Sequence, residues 1–97
     1  MEVHSGLSAL IVSKAKAACS SKGVAVGFDA MWSSSLTSSS VKAKPDIEAV
    51  DTSARLQIVN DCLEVSPLPL IYDGDTGGPA EVFRFSFRSF LFIINCL

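Results

Sequence analysis

The stretch Leu68-Pro69-Leu70-Ile71-Tyr72-Asp73-Gly74-Asp75-Thr76-Gly77-Gly78 decides the fold. Its apolar run reads as a buried strand that ends abruptly in two carboxylates and two glycines. In parallel α/β folds the ligand site lies at the C-terminal ends of the strands, where the loops converge, so the pattern predicts Asp73 and Asp75 in a cleft. Two carboxylates with one residue between them suit a hard cation such as Mg2+, which takes oxygen ligands and keeps several waters. Gly77 and Gly78 allow a sharp turn and the close approach of a ligand.

The stretch alone does not single out one chemistry. A calcium loop needs an acid at the twelfth position from Asp73, where Arg84 stands. A phosphatase of the haloacid dehalogenase type also opens with a strand and Asp-x-Asp, but it carries Thr where this chain has Gly77, which weakens the fit. A solvated acidic turn is the plain alternative.

At 97 residues the chain makes at most one small domain, and a domain of that size buries a smaller share of its surface than a large enzyme does. It is 48% hydrophobic and 19% charged, with a mean hydropathy of +0.39. That apolar surplus fits a chain that oligomerises, or a piece of something larger whose other parts cover its faces. A net charge of -2 without a basic run leaves no footprint for nucleic acid. Cys19, Cys62 and Cys96 are far apart, odd in number and without C-x-x-C spacing, so they read as free, mostly buried thiols of a reducing compartment. His4 is the sole histidine, too few for a histidine-rich zinc site. The apolar run Leu7 to Val12 is short and follows Glu2 instead of a basic segment, unlike a secretory signal. Phe90 to Ile94 falls far below the roughly 20 residues of a spanning helix. The expectation is a soluble, cytoplasmic chain that meets neither membrane nor nucleic acid.

Taken in order, Met1 to His4 is the stub of a strand. Leu7, Leu10, Ile11, Ala15 and Ala18 then recur at helical steps and predict a helix from Leu7 to about Cys19. Val24 to Trp32 reads as a strand running into Ser33-Ser34-Ser35-Leu36-Thr37-Ser38-Ser39-Ser40. This serine-rich stretch is either a flexible linker or a binding loop whose N–H groups and hydroxyls meet an anion, with Trp32 walling the pocket. Ile47, Val50, Ala54, Ile58 and Cys62, with Leu56, Val59 and Leu63 beside them, give a second helical stripe ending near Glu64, with Asp51 as its cap. Pro67 and Pro69 lead into the strand quoted above. Ala80 to Phe90 predicts the start of another helix. The apolar end from Leu91 reads as a tail beyond an interrupted architecture or, alternatively, as an ordinary terminal strand. The alternation of strands and helices argues for parallel pairing.

With these pieces in order, the chain resembles the phosphoenolpyruvate mutase and isocitrate lyase superfamily, and within it the phosphoenolpyruvate phosphomutases. Four ordered segments carry the resemblance: Glu2 to Ala9, Gly27 to Leu36, Lys44 to Asp51 and Leu70 to Gly78. It implies an α/β fold, part of a TIM-type (β/α)8 barrel, with about the first three βα units in residues 1–89 and a divergent apolar tail in 90–97. The implied chemistry is Mg2+-dependent interconversion of phosphoenolpyruvate and phosphonopyruvate, and the implied assembly is a homo-oligomer. Carried over by motif, Asp73 is the metal ligand, and Asp75 and Asp46 hold metal-bound waters. Asp46 is also the implied catalytic carboxylate. Ser34, Ser35 and Leu36 are the implied substrate-carboxylate site, bordered by Trp32. Many members have glycine after this tryptophan where Ser33 and Ser35 stand, which narrows the pocket and leaves substrate choice open.

A complete barrel has eight strands and about 250 residues. The family's later acidic strand end, its lysine- and asparagine-bearing lid and its phosphoryl-holding arginine have no counterparts here. The expectation is therefore an N-terminal fragment that is inactive in isolation. Two alternatives stand beside it: a phosphonopyruvate hydrolase or carbon–carbon lyase of the same superfamily, and a non-catalytic fragment that docks on full-length subunits.

Overall fold

A computed structural model describes residues 1–18, 23–76 and 91–94. The first helix, α1, spans Gly6–Lys14. Ser5 caps it reciprocally: its hydroxyl accepts from the Ser8 N–H at 3.2 Å, and its own N–H donates to the Ser8 hydroxyl at 3.0 Å. The helix does not reach Cys19 as the spacing predicts. Ala15 is extended, and the chain goes on into β1 (Ala17–Ala18), paired antiparallel with β2 (Ala25–Val26). Cys19 lies outside the described residues.

The expected strand from Val24 to Trp32 is interrupted. Gly27 passes so close to the end of α1 that a Cβ there would meet Lys16 Nζ at 2.8 Å and the Ala15 carbonyl oxygen at 3.3 Å. Pairing resumes only at β3 (Met31–Ser33). The serine-rich stretch is neither linker nor open loop but a short helix, α2 (Ser35–Val41), capped by Ser34, whose hydroxyl accepts from the Thr37 N–H. Ser38 donates to the Ser34 carbonyl oxygen at 2.9 Å. Serine thus supplies its own local bonds here, and its small size lets Ser38 and Ser39 pack buried. The helix closes in a Schellman motif: Ala43 takes φ 52, its N–H donates to Ser40, and the Lys44 N–H donates to Ser39.

The long helix α3 (Thr52–Val65) begins at the expected cap, where Asp51 accepts from the Ser53 N–H at 3.0 Å. Ile47, counted in its stripe, lies exposed ahead of it. The quoted strand is β4 (Leu70–Asp73), and Leu91–Ile94 forms β5, an ordinary strand. The helix expected over Ala80 to Phe90 lies outside the described residues, as does Cys96.

β3, β4 and β5 form a parallel sheet in chain order, with Met31 opposite Leu70 and Leu70 opposite Leu91. The first residues join its other edge. The Val3 N–H donates to the Trp32 carbonyl oxygen at 2.8 Å, and the Trp32 N–H donates to that of Met1 at 2.9 Å. This Glu2–Trp32 bridge is also parallel, so the strand positions follow one another across the sheet as they do along the chain. Val3, Met31, Leu70 and Tyr72 meet Ala9 and Val12 of α1 and Leu56, Val59 and Cys62 of α3 in one buried cluster. Alternation along β4 buries Leu70 and Tyr72 and leaves Ile71 and Asp73 half-buried. Gly6 sits where a Cβ would lie 3.2 Å from the Asp61 carbonyl oxygen, which lets α1 approach α3 closely. No helix among the described residues is long and apolar enough to cross a membrane.

Candidate functional site

Parallel pairing puts the C-terminal ends of β3 and β4 side by side, so the serines that follow β3 meet the aspartates that close β4. The Ser35 hydroxyl, buried in the first turn of α2, donates to Asp73 Oδ2 at 3.3 Å. The other oxygen, Oδ1, accepts from the Asp75 N–H at 3.1 Å. That bond folds the loop back on itself, and Asp75 adopts φ 50, a left-handed conformation that aspartate tolerates better than most residues. Asp73 and Asp75 are thereby brought together in one tight turn.

The other expected residues fall around this corner. Trp32 is half-buried in β3, and Ser34 is half-buried with its hydroxyl committed to the cap of α2. Leu36 is exposed. Asp46 lies exposed on the turn before Val50. From that turn it is Glu48 that reaches the β4 loop, accepting from the Thr76 N–H at 2.9 Å and the Thr76 hydroxyl at 2.5 Å. The hydroxyl first, then the N–H, holds Glu48 below the usual carboxylate range. No group of three or more His, Cys, Asp or Glu residues among those described is gathered closely enough to hold a metal ion. Asp46, Asp73 and Asp75 are therefore not a preassembled carboxylate cage.

The residue that ties the corner together is Arg55, absent from the sequence expectations. It projects from the first turns of α3, its side chain 5% exposed, and forms an ion pair through Nη1 with Asp75 Oδ2. Nη2 donates to the Asp73 carbonyl oxygen. The guanidinium carbon lies 4.7 Å from the centre of the Tyr72 ring, within reach of a cation–π attraction. Tyr72 has its hydroxyl pKa raised by burial, with Arg55 opposing and Asp75 and Asp73 adding to the rise. Beside Arg55 opens a cavity of about 190 Å³, whose walls include Glu48, Asp51 and Asp75. A signal for this arginine was present in sequence: Arg55, Val59 and Cys62 stand at i, i+4 and i+7, so a buried helix face carries a permanent charge that needs an acid.

A sequence profile described as phosphoenolpyruvate phosphomutase matches residues 1–90. Phosphoenolpyruvate phosphomutase of Streptomyces viridochromogenes is 36% identical over 78 residues, which make up 79% of this chain and 21% of that protein. The crystal structure of phosphoenolpyruvate phosphomutase from Streptomyces platensis subsp. rosaceus matches with a TM-score of 0.64 at 26% identity, covering 78% of this chain and 23% of that one. The chain thus spans about a fifth of the length of the curated relative it matches.

Proposed function

The chain belongs to the phosphoenolpyruvate phosphomutase family, and from that premise we propose that the C-terminal rim of its parallel strands is one side of a site for interconverting phosphoenolpyruvate and phosphonopyruvate. In this reading the Glu2 strand stub, β3, β4 and β5 open a (β/α)8 barrel. The observation that carries it is the hydrogen bond from Ser35 to Asp73, which joins the loop after one strand to the acid closing the next, on the rim where barrel enzymes hold substrate.

The reaction breaks the bond between phosphorus and the enol oxygen and forms one between phosphorus and the methylene carbon, while that oxygen becomes the ketone. Such a transfer rests on holding the pieces in line and matching charge as it moves. Ser34 contributes its hydroxyl proton, and Ser35 and Leu36 the first N–H groups of α2, toward the substrate carboxylate, while the Ser35 hydroxyl stays on Asp73 and Trp32 borders the site. Asp73 suits a hard cation, since among the described residues each carboxylate oxygen takes one hydrogen bond and so keeps a lone pair to offer. Mg2+ bound there would supply charge neutralisation at the shifting phosphoryl group. Asp46 and Asp75 would hold its waters, with Asp46 the catalytic carboxylate. Four strand positions out of a barrel's eight make a partial rim, so the 97-residue chain by itself is expected to bind without turnover. Leu7, Leu10 and Ile11, exposed along α1, support packing against further copies.

Titrating phosphonopyruvate and Mg2+ into the isotope-labelled chain tests this by amide chemical shifts. The expected changes fall at Ser35, Leu36 and Asp73, and Asp73→Asn abolishes them. Shifts confined to Met31 and Leu70, at the other end of the strands, would overturn the reading.

A further inference from the structure

A guanidinium keeps its charge under all ordinary conditions, and its burial demands partners. Arg55 is only partly provided for. Nη1 meets Asp75 and Nη2 meets a main-chain carbonyl, but Nε is buried without a hydrogen-bond partner among the described residues. A permanent positive charge thus stands at the end of β4, bonded to both residues of the Asp73–Asp75 turn. That is the charge a divalent cation would bring to the same place. The two cations repel each other, and both call on Asp75.

We infer that Arg55 is a positioning residue that competes with the divalent cation for Asp75, and so sets how tightly the metal is held. This rests on the reading of Asp73 as the metal-facing carboxylate. Without metal, the guanidinium holds the turn in shape by neutralising Asp75 and fixing the Asp73 carbonyl. With a metal held at Asp73, Asp75 would be the residue to hold its waters, and the arginine would have to let go of it. The fold offers the released side chain somewhere to go: the cavity of about 190 Å³ beside it is walled by Glu48 and Asp51. Among the described residues Glu48 uses Oε1 for Thr76 and Asp51 uses Oδ2 for Ser53, which leaves each another oxygen to offer a guanidinium. The unpartnered Nε shows that the present arrangement leaves the guanidinium incompletely met, and a swing toward the cavity would put Glu48 and Asp51 in place of Asp75 and the Asp73 carbonyl oxygen.

The test is metal affinity, read apart from turnover. Mn2+ titrations followed by electron paramagnetic resonance compare the 97-residue chain with Arg55→Met and Arg55→Lys. The expected result is that Arg55→Met binds Mn2+ at least tenfold more tightly, while Arg55→Lys, which retains the charge, stays near the native chain. Equal affinity in the native chain and Arg55→Met overturns the inference and leaves Asp73 as ligand intact. Arg55→Lys binding as tightly as Arg55→Met also overturns it, since charge would then not be the cause. A complete lack of Mn2+ binding in every form strikes the Asp73 reading first and carries the inference with it. Should Arg55→Met lack folded circular dichroism, the native chain decides. Its Arg55 Nε–H resonance is expected to move with Mg2+ at the same midpoint as the Asp73 amide, and an unmoved resonance at saturation overturns the inference.

Discussion

Replacing Asp75 by Asn should destabilise the chain more than removing the arginine it neutralises. Asn is the informative choice because Asp75 sits at φ 50, where Asn is tolerated and Ala would add its own strain. The amide oxygen can still accept from Nη1, so the substitution isolates the charge. Breaking a fully buried pair by removing one partner costs about 3–5 kcal/mol, because the other charge is stranded. Here Arg55 is 5% exposed but Asp75 is 22% exposed. Partial hydration and the retained hydrogen bond reduce the expected cost to about 2–3 kcal/mol. Arg55→Met removes the buried charge together with its desolvation and fills similar volume, so its expected cost is about 1 kcal/mol or less. The double variant should match Arg55→Met, leaving a coupling of about 2–3 kcal/mol. Urea unfolding followed through the fluorescence of Trp32, the sole tryptophan, measures all four chains. With an ordinary urea slope, the Asp75→Asn midpoint drops by about 1–2 M. The coupling should persist in high salt, since buried charges are weakly screened. An Asp75→Asn cost under about 0.5 kcal/mol would refute the reasoning, because the pair would then behave as a solvated surface contact.

Three further outcomes are expected. Burial, with Asp61 adding to it, pushes the Cys62 thiol from 9.0 to about 11. Because the folded state holds this proton more tightly than the unfolded chain, the associated stability is intact below about pH 9 and is lost as pH rises toward 11. Peptide mapping after alkylation at pH 8 should accordingly find Cys62 unmodified in folded protein. Ala43→Gly should stabilise by about 0.5–1 kcal/mol, since φ 52 is a conformation glycine adopts freely; a lower urea midpoint would contradict the Schellman assignment. Ser35→Ala should cost about 1 kcal/mol by removing the donor to Asp73, with circular dichroism unchanged; loss of the folded signal would mean that the bond organises α2 itself.

The parts of the fold that could be read from sequence are those governed by local patterns. The β4 strand with its acid-bearing end, the Asp51 cap and the body of α3 each follow from neighbours within a turn or two. Where the reading departs, a contact between distant segments decides. The strand through Val24 is cut because Gly27 crosses the end of α1, and α1 stops short because Ala17–Ala18 finds a partner in Ala25–Val26. Serine content leaves a flexible linker and a binding loop open, yet Ser34 and Ser38 satisfy a helix's own backbone groups, which composition alone does not reveal.

The site divides along the same line. The acids that close β4 stand out because strand-end carboxylates are a local pattern, whereas Ser35 comes from the motif after Trp32 and its bond to Asp73 from parallel pairing. Arg55 could be recognised as anomalous, a charge on a buried helix face, but not assigned a partner: Asp75 lies 20 residues further on, and only the packing of α3 against β4 makes them meet. Glu48 stands two residues from Asp46, and which of them reaches Thr76 is settled by a turn in which Glu48 takes φ 58, a conformation its side chain does not advertise. A carboxylate pair on one strand end therefore has its chemistry set by a helix that the motif does not include. In the proposed reading, the openness of this pair to a metal turns on Arg55 as much as on the two aspartates.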